Sequence, residues 1–341
     1  MTDRPGGEGD SPRAEAAPGA SGSERRRGPS PSPPDDHGAA PDPDVAEAAE
    51  GRPDDADLPL DAHLHTLMSP DAVPAIEVYA EAAVIRGIRE IAITDHVDFD
   101  PTAPAYAYAD HATRERYVRD AAARWADRGV TIRFGVEVTY QARYEADIRE
   151  HLARRAYDYA IGSVHVMRDD PYTKERVAAW VEGRSLPEIV APYFAEVLSA
   201  ARSGLFDTLG HLDMVKRYLF PHVRPEQLAA APELYEPILR ALVESDTGLE
   251  VNTSGLRQAA GEVYPAPWAV ARFRELGGGR VTVGSDAHLA RSFAFGLGRG
   301  YDLAAATGFD AVAFRRGGTR SQGGEAIALA NPRALRETAG T

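Results

Sequence analysis

Short, almost wholly apolar runs alternate along this chain with longer stretches in which apolar residues recur every three to four positions. The runs cover residues 58–63, 90–94, 131–138, 157–164, 206–211, 248–252 and 281–285; the amphipathic stretches cover 75–86, 113–128, 187–203, 233–246 and 268–276. Continuous apolar runs bounded by turn residues predict strands buried on both faces, and the helical period predicts helices that cover them. Gly87, Gly129, Gly204 and Gly277 each fall just past a helical stretch, as C-terminal caps do. Repeated strand-then-helix units predict a parallel α/β fold, and a further run at 311–314 predicts one more short strand.

What the runs end on separates an open sheet from a barrel. Six of the ten histidines sit in Asp61-Ala62-His63-Leu64-His65, Thr94-Asp95-His96, Gly162-Ser163-Val164-His165, Gly210-His211-Leu212-Asp213 and Ser285-Asp286-Ala287-His288, and Glu137 stands near the end of another run. An open doubly wound sheet gathers its site at one switch point and draws on two or three strands. Only a closed barrel brings six strand ends round one mouth.

Strand alternation puts Asp61, His63 and His65 on one face, with Leu58, Leu60 and Leu64 on the packed face. Two imidazoles at that spacing can chelate one ion; Asp61 could equally be a turn carboxylate. Asp286 and His288 share a face by the same spacing. Asp95 and His96 are adjacent and point apart, so His96 is the expected ligand and Asp95 a loop-stabilising carboxylate or helix cap. Glu137 lies between Val136 and Val138, where an unpaired carboxylate is costly to bury, so it is salt-bridged or bridges metals. His165 and His211 follow glycine-containing strand ends. His37, in the N-terminal segment, and His111, His151 and His222 sit among polar residues and read as solvated.

Composition changes the picture at one end. Residues 1–57 hold ten of the 25 prolines and, apart from Met1 and Val45, no large apolar side chain; they carry fourteen acidic residues against six arginines, −8 of the total −14. Such a segment is expected to be disordered, with one domain at 58–341. The acidic balance of the remainder disfavours nucleic acid as a partner. There is no cysteine, which excludes disulfides and thiolate ligands. No apolar stretch is long enough to span a membrane and no secretory signal is evident, so the cytoplasm is the expected location.

The ordered set of these motifs resembles the polymerase-and-histidinol-phosphatase (PHP) superfamily. The segment Glu250-Val251-Asn252-Thr253-Ser254-Gly255-Leu256-Arg257, followed by Gly261-Glu262-Val263-Tyr264-Pro265, resembles its histidinol-phosphatase branch. The resemblance implies a distorted seven-stranded (β/α) TIM-like barrel with two to three divalent ions (Zn, Fe, Mn or Co) at its C-terminal mouth. It implies that His63, His65, Glu137 and Asp286 hold one ion, that Glu137 bridges to a second held by His165 and His211, and that His96, His288 and Asp71 hold a third. Asp71 could instead cap the helix at 75–86. Asp61, Asp95 and Asp213 are expected to support the ligands from behind.

The implied activity is hydrolysis of a small phosphate monoester, L-histidinol phosphate to L-histidinol, in histidine biosynthesis. Paired metals answer the slowness of that reaction by lowering the pKa of a bridging water and holding phosphoryl oxygens for in-line attack. Glu137 and Asp286 are then central to catalysis. Substrate charge calls for a cation. Arg257, after the sixth barrel strand, is the expected phosphate clamp, with Arg168, Lys216 and Arg217 as further candidates. The rival within the superfamily is a phosphodiesterase or exonuclease acting on nucleotides or nucleic acid ends, and outside it a barrel that binds a ligand without turnover.

Overall fold

The computed structural model describes residues 43–316 and 318–338. Eight parallel strands, β1 (Leu60–Leu64), β2 (Glu90–Ile93), β3 (His96–Val97), β4 (Thr131–Thr139), β5 (Tyr159–Ser163), β6 (Thr208–Leu209), β7 (Gly248–Asn252) and β8 (Val281–Gly284), follow one another with helices between all but β2 and β3. Seven are laid side by side in the order β1-β2-β4-β5-β6-β7-β8, and the two-residue β3 pairs with the outer part of β4 in the register His96↔Glu137. The strands are buried on both faces, as a covered parallel sheet requires. Gly87, Gly129, Gly204 and Gly277 all take positive φ just past their helices.

The sheet curls until β8 meets β1, so the expected seven-stranded barrel is present, closed along one seam. There the ladder is reduced to two bonds at the C-terminal end, Asp286 N–H to His63 O at 2.8 Å and His65 N–H to Ala287 O at 3.0 Å. The Asp61 carboxylate completes the seam by accepting from the Ser285 N–H (2.9 Å) and hydroxyl (2.6 Å). Gly284 lets the seam close this tightly. A Cβ there would lie 2.4 Å from His63 Cβ and 2.8 Å from Glu250 Oε1, so any larger residue would displace both.

One predicted strand is shorter than expected, and the further strand near the end is present but lies outside the parallel sheet. The run at 206–211 yields only Thr208–Leu209 as strand, although backbone bonds from Asp207 N–H to Ala160 O (3.0 Å) and from Gly210 N–H to Gly162 O (2.9 Å) flank it. Beside them the Asp207 carboxylate accepts the Ala160 N–H (2.9 Å) and the Glu250 carboxylate the His211 N–H (2.8 Å). The run at 311–314 forms β9 (Ala311–Arg316), which pairs antiparallel with β10 (Glu325–Ala330) outside the barrel.

The expectation of a disordered segment reaching residue 57 is corrected over its described part, and residues 1–42 lie outside the described residues. Helix Pro43–Ala49 buries Val45 and Ala48 in the core. Beyond it, the buried Asp55 carboxylate accepts from the Gly296 and Gly298 N–H groups (2.9 and 2.8 Å) at the start of helix Leu297–Ala306, and Arg86 donates to the Asp55 carbonyl (3.0 Å). Apolar content alone misses such docking, because an acid can anchor a segment by capping a helix whose first N–H groups have no partner. Against a chain beginning at residue 43, removal of residues 43–57 should therefore lower Tm, and Asp55→Ala alone should cost about 1–2 kcal/mol by urea unfolding. Equal midpoints for the three proteins would show that the segment contributes nothing.

His111 and His151 are also corrected. Instead of being solvated they pack on aromatic rings, His111 on Phe134 and Tyr157 (centroids 5.4 and 4.9 Å) and His151 on Phe99 (5.5 Å), with a His151 Nε2 to Tyr157 hydroxyl bond of 2.9 Å. Burial lowers both imidazoles, His151 to about 4. His222 is exposed as expected.

Candidate metal centre

The strand ends deliver their side chains to one place. His63 and His65, both fully buried, point to the same side of β1 with their Nε2 atoms 3.0 Å apart. Glu137, on β4, presents Oε2 to His63 Nε2 (3.4 Å), His65 Nε2 (3.3 Å) and His96 Nδ1 (3.0 Å). Its other oxygen, Oε1, faces His165 Nε2 (3.3 Å) and His211 Nε2 (2.9 Å). Asp286 Oδ1 lies 3.8 Å from His63 Nε2 and 3.6 Å from His65 Nε2. Asp71 Oδ2 lies 3.5 Å from His96 Nε2 and 3.4 Å from His288 Nε2. All nine residues expected as ligands are thus brought together around one mouth of the barrel.

The donor set fits divalent ions. Three groups offer ligand atoms within 4.8 Å of one another: His63, His65 and Asp286; His96, Glu137 and His165; and His65, His96 and His288. Glu137 Oε2 is buried and receives no hydrogen bond although three imidazole nitrogens face it. Neutral nitrogens and anionic oxygens packed this way leave their lone pairs for a cation.

Electrostatics divide the histidines. Burial alone would depress His63, but the Glu250, Glu137 and Asp286 carboxylates outweigh it and hold His63 well above 6.5. Burial and the neighbouring His288 and His96 hold His65 well below 6.5. Burial would raise Glu137, yet His63, His165 and His96 keep it well below the usual carboxylate range. A cation entering here therefore competes with a proton on His63.

Behind these side chains lies a layer of supports. Glu250, on β7, was not singled out as a site residue in the sequence. It is fully buried, meets His63 Nδ1 at 2.6 Å through Oε1, and accepts through Oε2 from the His211 N–H (2.8 Å) and Asn252 Nδ2 (3.0 Å). One carboxylate thus orients histidines from two strands. The signal was available, since Glu250 sits between Leu249 and Val251 as Glu137 sits between Val136 and Val138. Asp95 points away from the clusters and ties down the loop after β1, accepting from the Thr66 N–H and hydroxyl (2.7 and 2.8 Å) and from the Ser69 hydroxyl (2.8 Å). Asp61 lies in the barrel seam, its pKa pushed by burial up to about 6 against the hydrogen bonds from Ser285. Asp213 sits further back, accepting from the Tyr235 hydroxyl (3.1 Å) and the Ala266 N–H (3.2 Å).

Two residues expected to contact substrate are engaged with the protein itself. Lys216 is only 2% exposed and its ammonium is held by Asp213 (2.9 Å) and Glu262 (2.7 Å), so it serves packing at the barrel rim. Arg257 gives its two terminal nitrogens to the carbonyls of Ser285 (2.7 Å) and Asp286 (2.6 Å). Asp286 has φ +56°, a left-handed conformation that costs a non-glycine residue of order 1–3 kcal/mol unless its surroundings hold it. Arg257 on its carbonyl and His63 on its N–H hold it. The exposed Arg168 and Arg217 instead line a cleft of about 510 Å3 together with Asp71, His96, His165, His211, Asp286 and His288.

Comparison with known proteins adds three findings. Residues 61–254 match the family model of the PHP domain. A probable histidinol-phosphatase of Deinococcus radiodurans is 32% identical over 67% of this chain and 85% of its own length, and the histidinol-phosphatase of Lactococcus lactis is 25% identical over 74% and 93%. A crystal structure of the Lactococcus lactis histidinol phosphate phosphatase, complexed with zinc, L-histidinol and phosphate, superimposes with a TM-score of 0.66 at 24% identity over 76% of this chain and 97% of that one.

Proposed function

The chain belongs to the PHP domain family, and from that membership we propose that it is a metal-dependent phosphomonoesterase hydrolysing L-histidinol phosphate to L-histidinol. The observation that carries this reading is the convergence of six histidines, Glu137, Asp71 and Asp286 on a cleft that also presents two exposed arginines. A cleft of about 510 Å3 suits a small monoester better than a nucleic acid strand, which speaks against the exonuclease alternative. Among the described residues no helix is long and apolar enough to cross a membrane.

His63, His65, Glu137 and Asp286 would hold one ion, Glu137 with His165 and His211 a second, and Asp71, His96 and His288 a third. Zinc is the ion we favour, from the contents of the Lactococcus lactis structure. Bound ions supply water at lowered pKa and positive charge for the phosphoryl oxygens. The chain's own part is placement. Glu137 fixes the spacing of two ligand groups through its two oxygens. Glu250 orients His63, and Thr139 orients His165 through a 2.9 Å bond to Nδ1. Arg217 and Arg168 receive substrate charge at the cleft wall.

The test is phosphate release from L-histidinol phosphate by protein of measured metal content, beside a nitrophenyl phosphomonoester and the matching diester. Loss of activity on chelation, recovery with zinc and preference for monoesters support the reading; faster diester turnover overturns it. The arginines separate in the same assay. Arg217→Ala should lower kcat/KM about tenfold or more with metals retained, because it removes a charge-assisted contact made to substrate alone. Arg257→Ala should lower metal content as well, because it frees the backbone of Asp286. Full metal content with weakened kcat/KM in Arg257→Ala would restore its role as phosphate clamp.

A further inference from the structure

Three acids line the cleft, and two of them face histidines: Asp71 meets His96 and His288, and Asp286 meets His63, His65 and His288. The third, Asp98, pairs with no histidine among the described residues. Its Oδ1 is buried without a hydrogen-bond partner among the described residues. A buried carboxylate oxygen with nothing to receive is costly to maintain, and such exceptions in folded proteins ask for an explanation.

Position explains what Asp98 is for. In β3 the pairing of His96 with Glu137 and of Val97 with Val138 sets the alternation: His96 faces the clusters, Val97 is buried, and Asp98 follows on the side of His96. Two strand residues span about 6.6 Å. A P–O–C–C–N chain plus one hydrogen bond covers that distance from a phosphoryl group beside His96. Arg168 and Arg217 line the same cleft, so it offers positive charge for the ester and one negative oxygen for something else. Its remaining wall, including Ala103, Ala105, Val166 and Met214, is apolar and suits a flat ring.

We propose that Asp98 determines substrate specificity by accepting a hydrogen bond from a protonated amine on the carbon next to the ester-bearing carbon. The substrate class is thus the β-amino-alcohol phosphates. The inference rests on the phosphomonoesterase reading and goes further in naming the feature of the alcohol that is recognised.

The experiment compares wild type, Asp98→Asn and Asp98→Glu at equal metal content. The substrates are L-histidinol phosphate, its analogue lacking the amine, phosphoethanolamine and a nitrophenyl phosphate. Asp98→Asn should lower kcat/KM about ten- to a hundredfold for the two amine-bearing esters, the worth of one charge-assisted hydrogen bond, and leave the other two unchanged. Asp98→Glu, which keeps the charge, should recover part of the loss. Equal losses on all three alkyl esters with the nitrophenyl ester spared would overturn the proposal and make Asp98 the proton donor to the leaving alkoxide. Equal losses on all four, or on none, would overturn it too. Failure of the phosphatase reading looks different: wild type would release no phosphate from L-histidinol phosphate at any metal content.

Discussion

Glu137→Gln is expected to lower kcat/KM by roughly a hundred- to several-thousandfold and to reduce metal content. Five imidazole nitrogens lie between 2.9 and 3.4 Å from its two oxygens, and the side chain is 1% exposed. Removing its charge leaves any cations and protonated histidines around it without their buried counter-charge, and breaking a buried charge pair costs about 3–5 kcal/mol. The same change at Asp71 should matter less, since that side chain is 56% exposed and its ion pairs among the described residues are with His96 and His288. Metal analysis and initial rates on both variants decide the matter. A Glu137→Gln protein with its metals and near-normal turnover would rule out the bridging role.

Glu250→Gln comes second. It should weaken metal affinity about ten- to a hundredfold, the usual effect of losing the group that orients a ligating histidine, while leaving kcat near normal once metal is saturating. Glu250 touches no cleft surface, so its influence runs through His63 Nδ1 and the His211 backbone. It also lies against Gly284, so a larger residue at either position would open the β8–β1 seam. Rates measured across a zinc titration separate affinity from turnover. An unchanged zinc midpoint would mean that His63 is held well enough without it, and that Glu250 serves the barrel's packing alone.

Period and composition were enough to read the architecture. Apolar runs with helical stretches between them specify a parallel α/β fold because burial on both faces leaves little room for polar residues within a strand. The i, i+2 spacings of His63 with His65 and of Asp286 with His288 specify side chains on one face because strand alternation is local. Helix ends marked by Gly87, Gly129, Gly204 and Gly277 were legible for the same reason: the left-handed turn is a property of one residue.

What each polar side chain meets is not local, and only the tertiary structure decided it. Glu250 and His63 are 187 residues apart in sequence and touch because β7 and β1 both flank β8. Arg257 lies just beyond β7, where a cation for substrate was expected, yet closure of the barrel put the carbonyls of Ser285 and Asp286 within its reach first. Lys216 met Asp213 and Glu262 in the same way. Asp55, in a segment whose composition reads as disordered, found the unpaired N–H groups of a helix that begins more than two hundred residues later. A charged side chain goes to whichever opposite charge or unsatisfied backbone group the fold brings nearest, and that choice exists only once the strands have closed.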